Sequence, residues 1–175
     1  MIQGKRIILR NWSQPDLQEI VGLRNDIELQ SQLLARVRGS TDEQVLHWLK
    51  DRSTGTDTHL LIIADKEHDH AIGYIQITRI DYTDRRGEVG ICLGKAHQGC
   101  GLGTEALSLA IEHFRTIWNF RKLTLSVRSD NARAIKCYQK LGFVQVGVFL
   151  KHIFMNGEWQ DITVMELFTE RKGPN

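Results

Sequence analysis

A chain of 175 residues with 41% hydrophobic and 25% charged residues is long enough to bury a core of its own and has the composition of an ordinary globule. A formal net charge of +2, with both signs spread along the chain, gives no electrostatic case for nucleic acid. No apolar run approaches the roughly 20 residues of a membrane helix, so no membrane partner is expected. Met1-Ile2-Gln3-Gly4-Lys5-Arg6 lacks an apolar signal core. Cys92, Cys100 and Cys137 are odd in number and without metal-ligand spacing, so no metal site is expected and a reducing cytoplasm without disulfides fits them. One domain over residues 1–170 with a polar tail at 171–175 is the expected organisation.

In chain order, Ile7, Ile8 and Leu9 mark an opening strand within residues 5–12. Ser13 and Pro15 then start a helix that carries Leu17, Ile20, Val21 and Leu23. Residues 26–39 read as irregular or partly helical. Thr41 and Gln44 form a capping-box pattern ahead of Val45, Leu46, Trp48 and Leu49. The runs 59–64 and 71–80, joined by a polar turn, predict an antiparallel hairpin. Glu88 to Leu93 is a further strand, and Gly90 within it suggests a bulge or a close backbone approach. A glycine-rich loop follows, then a helix from about Thr104 with the apolar stripe Leu107, Ala110, Ile111, Phe114, Ile117 and Trp118. Lys122 to Arg128 alternates as a strand, Asn131 opens a helix and Gly142 closes it. Asn156-Gly157 between two β-prone runs is a strong hairpin signal. Trp48 and Trp118 are expected in the core. The pattern predicts an α/β (α+β) chain with a single mixed, mostly antiparallel sheet and helices on both faces.

The loop at 94–103 is the chemical centre. Gly99, Gly101 and Gly103 strip side chains from alternate positions, so backbone N–H groups can converge on an anion. The helix behind them adds unpaired donors and a positive dipole end. From Gly94 the spacing reaches Gly99, but Cys100-Gly101 follows instead of the Lys-Ser/Thr of an ATP loop. Thr104 occupies the sixth position, where a dinucleotide loop needs glycine. What remains is Gln98-x-x-Gly101-x-Gly103 after a strand, followed by Asn131-x-x-Ala134-x-x-x-Tyr138-x-x-x-Gly142-Phe143. This pair resembles the GNAT superfamily of N-acetyltransferases. Arg86 to Ile91, Thr104 to Leu107 and the last hairpin are similar to its branch of ribosomal-protein, polyamine and amino-sugar acetyltransferases.

The resemblance implies acetyl-CoA as acetyl donor, with the pyrophosphate on Gln98, Gly99, Cys100, Gly101, Leu102, Gly103 and Thr104. It also implies cofactor contacts from Asn131 and Ala134, and a strand at Ile91 and Cys92 that splays from its neighbour and offers amides to the thioester oxygen. Asn131, Ala134 and Tyr138 share one helical face. A phenol there is a competent proton donor to a thiolate, so Tyr138 is the expected general acid. Glu88 is the carboxylate candidate for the base on the two central strands, acting directly or through water.

The resemblance places the acceptor beside the first two helices, where Arg24, Arg36 and Arg38 outweigh Asp26 and Glu28. Arginines suit a phosphate-bearing small-molecule amine, a nucleotide-linked amino sugar being preferred over a polyamine or a protein N-terminus. A non-catalytic CoA-binding or sensing module is the alternative of another class. Unpaired edges at the last hairpin invite a homodimer.

Overall fold

The computed structural model describes residues 1–35 and 39–169. Eight strands form one sheet: β1 (Ile2–Gln3), β2 (Ile7–Arg10), β3 (His59–Asp65), β4 (Ala71–Asp81), β5 (Arg86–Leu93), β6 (Lys122–Arg128), β7 (Val144–Met155) and β8 (Glu158–Phe168). Their spatial order is β1-β2-β3-β4-β5-β6-β8-β7. Among the described residues β5 and β6 run parallel and every other neighbouring pair is antiparallel. The α-helices among the described residues are α1 (Leu17–Asn25), α2 (Ile27–Gln32), α3 (Asp42–Thr54), α4 (Leu102–Thr116) and α5 (Ala132–Lys140).

Strand alternation sorts the apolar residues onto two faces. One face carries Ile7, Ile63, Ile75, Val89 and Leu125 against Leu107, Ala110 and Phe114 of α4, with α5 packed partly against them. The other carries Ile8, Ile62, Tyr74 and Cys92 against Ile20 of α1, Leu29 of α2 and Val45 and Leu49 of α3. Phe114, Phe120 and Phe143 are almost wholly buried, each stabilising the fold by about 2–3 kcal/mol relative to exposure. The mixed sheet with helices on both faces is as expected from the sequence.

Local chemistry fixes the element ends. The Thr41 hydroxyl accepts from Gln44 N at 3.3 Å and Gln44 Oε1 accepts from Thr41 N at 2.9 Å, a complete capping box for α3. Asn156 and Gly157 both have positive φ, 54° and 84°, the geometry a tight hairpin requires. Three features differ from the reading of the sequence, and the stretch read as irregular or partly helical takes a definite form. Strand β1 is an unanticipated two-residue addition at the sheet edge. The uncertain stretch after Asp26 holds α2, with Asp26 Oδ1 accepting from Leu29 N at 2.9 Å. Helix α4 starts at Leu102 and stops at Thr116, so Ile117 falls off the stripe and is 68% exposed. Gly90 makes no bulge: it pairs in register with Gln76, and a Cβ there would meet only the Gln76 side chain, at 3.5 Å. The predicted tail at 171–175 lies outside the described residues.

One departure from regular pairing positions the site. Strands β5 and β6 pair only through Arg86–Lys122, Gly87–Leu123 and Glu88–Thr124. Beyond Glu88 they diverge. Strand β5 therefore runs from Val89 to Leu93 with no strand on its β6 side, and its alternate N–H groups on that side face the opening.

Candidate active site

The divergence opens a cleft of about 720 Å³ through the sheet. Gly90 and Ile91 of β5 and Ser126 of β6 line it where the two strands part. On the α4–α5 side it is lined by Gln98, Gly99, Gly101, Gly103, Thr104, Asn131, Ala134 and Tyr138. On the α1–α3 side the lining includes Arg24, Gln30, Trp48, Arg52, Tyr74 and Gln76.

The loop after β5 is braced rather than floppy. Gly94 N donates to Ile72 O at 2.9 Å, Gln98 Nε2 donates to Leu93 O at 2.8 Å, and Arg133 donates to Gln98 Oε1. Arg6 Nη1 donates to Cys100 O at 2.9 Å. Gly101 sits at φ 88° as the N-cap of α4 and offers no side-chain cap. The first amides of α4 consequently keep their donors for an external anion. Arg133, Lys136 and Lys140 add positive charge along the same wall. These residues fit the pyrophosphate of a coenzyme A thioester: amides without side chains over them, a helix start and flanking cations.

Tyr138 stands on α5, half-buried, its ring 5.9 Å from that of Phe143 in an edge-on contact. Burial first, and Cys137 second, push its phenol up to about 12. It therefore holds its proton throughout the neutral range, as a proton donor must. Asn131 faces the cleft and also caps α5, its Oδ1 accepting from Ala134 N at 3.1 Å. Thr104 Oγ1 lies 3.2 Å from Cys137 Sγ, tying the start of α4 to α5.

Most of the residues singled out in the sequence meet at this cleft: Ile91, Gln98, Gly99, Gly101, Gly103, Thr104, Asn131, Ala134, Tyr138 and Arg24. Cys92, Cys100 and Leu102 are not in its lining. The Cys92 thiol is buried on the α1–α3 face, pushed up to about 12 by burial, with the Tyr74 hydrogen bond and Arg24 acting the other way. Glu88 is also outside the lining, and its carboxylate is taken by Arg79. Arg36 and Arg38 lie outside the described residues. Sequence reasoning missed Gln76, Arg52 and Tyr74, and it assigned Trp48 to the core. Trp48 does pack on the core, but it also lines the cleft, stacked under the Arg24 guanidinium at 4.2 Å and edge-on to Tyr74 at 5.3 Å. Among the described residues no group of three or more His, Cys, Asp or Glu is placed to hold a metal ion. No described helix is long and apolar enough to cross a membrane.

The sheet order, the divergence of β5 from β6 and the amide-rich loop define an acyl-CoA transferase architecture. A model of the acetyltransferase (GNAT) domain matches residues 6–144, and the chain belongs to that family. It is an acetyl-CoA-dependent N-acetyltransferase, which sets aside the sensing-module alternative. Spermidine N(1)-acetyltransferase of Vibrio cholerae is 26% identical over 168 residues, 96% of each chain. The Escherichia coli K12 spermidine N(1)-acetyltransferase is 35% identical over 96 residues, 55% of this chain and 52% of that protein. Ribosomal-protein-serine acetyltransferase of the same organism is 28% identical over 98 residues, 56% and 55% of the two chains. A crystal structure of the V. cholerae spermidine enzyme with CoA and spermine shares the fold at a TM-score of 0.87 and 24% identity, over 94% of this chain and 96% of that one.

Proposed function

We propose that residues 1–170 form one cytoplasmic N-acetyltransferase domain that acetylates the primary amine of a small anionic molecule, with Tyr138 as general acid. The observation that carries this reading is that Tyr138 and the amide loop line one cleft together with the unpaired edge of β5. Acetyl-CoA supplies a thioester whose carbonyl carbon accepts the amine. The amine nitrogen forms the new C–N bond as the C–S bond breaks. Alternate β5 amides within 89–93, that of Ile91 among them, stabilise negative charge on the carbonyl oxygen, while the Cys92 N–H points to Tyr74 of β4 in the ladder register. Tyr138 hands its proton to the departing thiolate and recovers one from solvent. Glu88 is committed to Arg79 and stands apart from the lining, so the amine proton is assigned to water in the cleft.

For the acceptor, the relatives' names include spermidine and a ribosomal protein. A polycation needs carboxylates, yet none of the described lining residues is Asp or Glu, whereas Arg24 and Arg52 are present. Asp26 and Glu28 are held by Lys95 at 3.2 and 2.7 Å. This supports an anionic amine, a nucleotide-linked amino sugar being the preferred class, over a polyamine or a protein N-terminus. Thiol release from acetyl-CoA across a panel of amines tests the reading. Acceptor-dependent release supports it; tight acetyl-CoA binding with no release for any amine contradicts it.

The reading extends to a second copy of the chain. Strand β7 is a sheet edge of 12 residues, exposed along most of its length. Val144, Val146, Val148, Phe149, Leu150 and Phe154 are all exposed there, Leu150 by 76%. An antiparallel copy about a two-fold axis matches such an edge in length and apolar pattern. Sedimentation equilibrium should give a dimer that Leu150→Lys dissociates; a monomer for the unaltered chain contradicts it.

A further inference from the structure

Two buried polar atoms have no hydrogen-bond partner among the described residues: Arg24 Nε and Gln76 Oε1. Both belong to the cleft lining. One is a donor on a cation and the other a neutral acceptor, and a buried polar group left unpaired is costly. The folded chain meets that cost for a reason, and the positions suggest which.

Gln76 lies on β4 directly opposite Gly90 of β5, and its side chain fills the space a Cβ at Gly90 would approach. It therefore stands beside the strand whose free amides face the opening, where the acceptor nitrogen must arrive. Tyr74 is two residues back on the same face of β4, about 7 Å along the strand. Arg24 projects over this region from α1, stacked on Trp48, which in turn packs edge-on against Tyr74. Arg24 makes no ion pair with any described residue, because the nearby acids Asp26 and Glu28 are held by Lys95. A guanidinium on an aromatic face, with an unspent Nε–H, is suited to a planar or tetrahedral oxyanion.

We infer that Gln76 and Arg24 read the acceptor as a pair: Gln76 Oε1 receives a hydrogen bond from the reacting amine, and Arg24 holds an oxyanion, phosphate or carboxylate, a short tether away on the same molecule. Gln76 is then a positioning residue for the nucleophile and Arg24 the specificity determinant. The inference rests on the acetyltransfer reading above and adds how its acceptor is laid out and which residues read it.

Matched amines test it. Thiol release from acetyl-CoA is followed with O-phosphoethanolamine against ethanolamine, glucosamine 1-phosphate against glucosamine, β-alanine against propylamine, and spermidine. The anionic member of at least one pair should have a kcat/KM roughly 10- to 100-fold above its neutral partner, the size of a charged hydrogen bond. Phosphate pairs and the carboxylate pair tell the two oxyanions apart. Arg24→Gln should erase that ratio through KM, Arg24→Lys should restore part of it, and KM for acetyl-CoA should stay within about twofold, reporting an intact fold. Gln76→Leu should lower kcat/KM for every amine roughly tenfold, and Gln76→Glu, which keeps an acceptor oxygen, should recover it. Turnover of spermidine with ratios near one for all pairs overturns this inference and leaves the acetyltransfer reading standing. No turnover with any amine overturns both.

Discussion

Replacing Tyr138 by Phe deletes one oxygen from the cleft and leaves the rest of the wall in place. The ring keeps its edge-on contact with Phe143, 5.9 Å between centroids, and the amide loop, Lys136 and Lys140 are untouched. Acetyl-CoA affinity should therefore change by no more than about twofold. Turnover should not survive as well. The phenol, pushed up to about 12 by burial, is ionised in only about one molecule in 10⁴ at pH 8. Nearly every enzyme molecule thus carries the proton that the thiolate needs. Without it, coenzyme A must leave as an anion or draw a proton from water. General acid catalysis is worth roughly 10²–10⁴, and a kcat loss of about 10²–10³ is expected, or about 3–4 kcal/mol in the barrier. The same shift makes a second demand: since the folded value is raised, kcat should show no basic limb from this group until pH rises well above 10. Steady-state thiol release and calorimetric acetyl-CoA binding, run on both forms from pH 6 to 10, decide the matter. A kcat within about threefold of the unaltered enzyme, or a loss that lies wholly in acetyl-CoA affinity, refutes the acid assignment.

Asp16 is 4% exposed and clamped by Arg10 at 2.7 and 2.8 Å and by Ser13 N and Oγ at 2.7 and 2.9 Å. Burial raises its pKa, but Arg10 and Ser13 outweigh that and hold it below the usual carboxylate range. The stabilisation is fully present above about pH 4 and lost as pH falls through the depressed folded value. Asp16→Asn should cost about 3 kcal/mol in urea unfolding at neutral pH, with the gap to the unaltered chain closing in strong acid; a constant gap contradicts the ion-pair account. Gly101→Ala meets both φ 88° and Arg6 Nη2 at 3.3 Å from the new Cβ. It should strain the chain by about 1–2 kcal/mol and raise KM for acetyl-CoA about tenfold, with acceptor KM unchanged. Glu88→Gln should keep kcat within about threefold, because water takes the amine proton; a loss near 10²-fold restores Glu88 as the base.

What the sequence disclosed follows from how local each signal is. The Thr41–Gln44 box, the Asn156-Gly157 turn and the glycine loop are complete within a few residues, and each was legible. Asn131, Ala134 and Tyr138 were legible because one helix face gathers them. Helix α2 was obscured because Gln30 and Ser31 are buried polar residues, so no apolar stripe announces it. Gln76 and Trp48 were out of reach for another reason. Period-two alternation places Gln76 on one face of β4 with Tyr74, but only the parting of β5 from β6 turns that face into a cleft wall. Trp48 reads as core by its helical spacing and becomes a wall residue only because Arg24 of another helix lies over it. Glu88 immediately precedes the free stretch of β5 but is not in the cleft lining, and its carboxylate pairs with Arg79 across the β4–β5 pair.

Cofactor and general acid sharing one cleft is tested most directly by a crystal structure of the chain with coenzyme A. That arrangement requires the pyrophosphate on the amides of residues 99–104, the pantetheine along the free edge of β5, and the thiol sulfur within hydrogen-bond reach of the Tyr138 hydroxyl. A pyrophosphate held elsewhere, or a sulfur on the far side of the cleft from Tyr138, contradicts it.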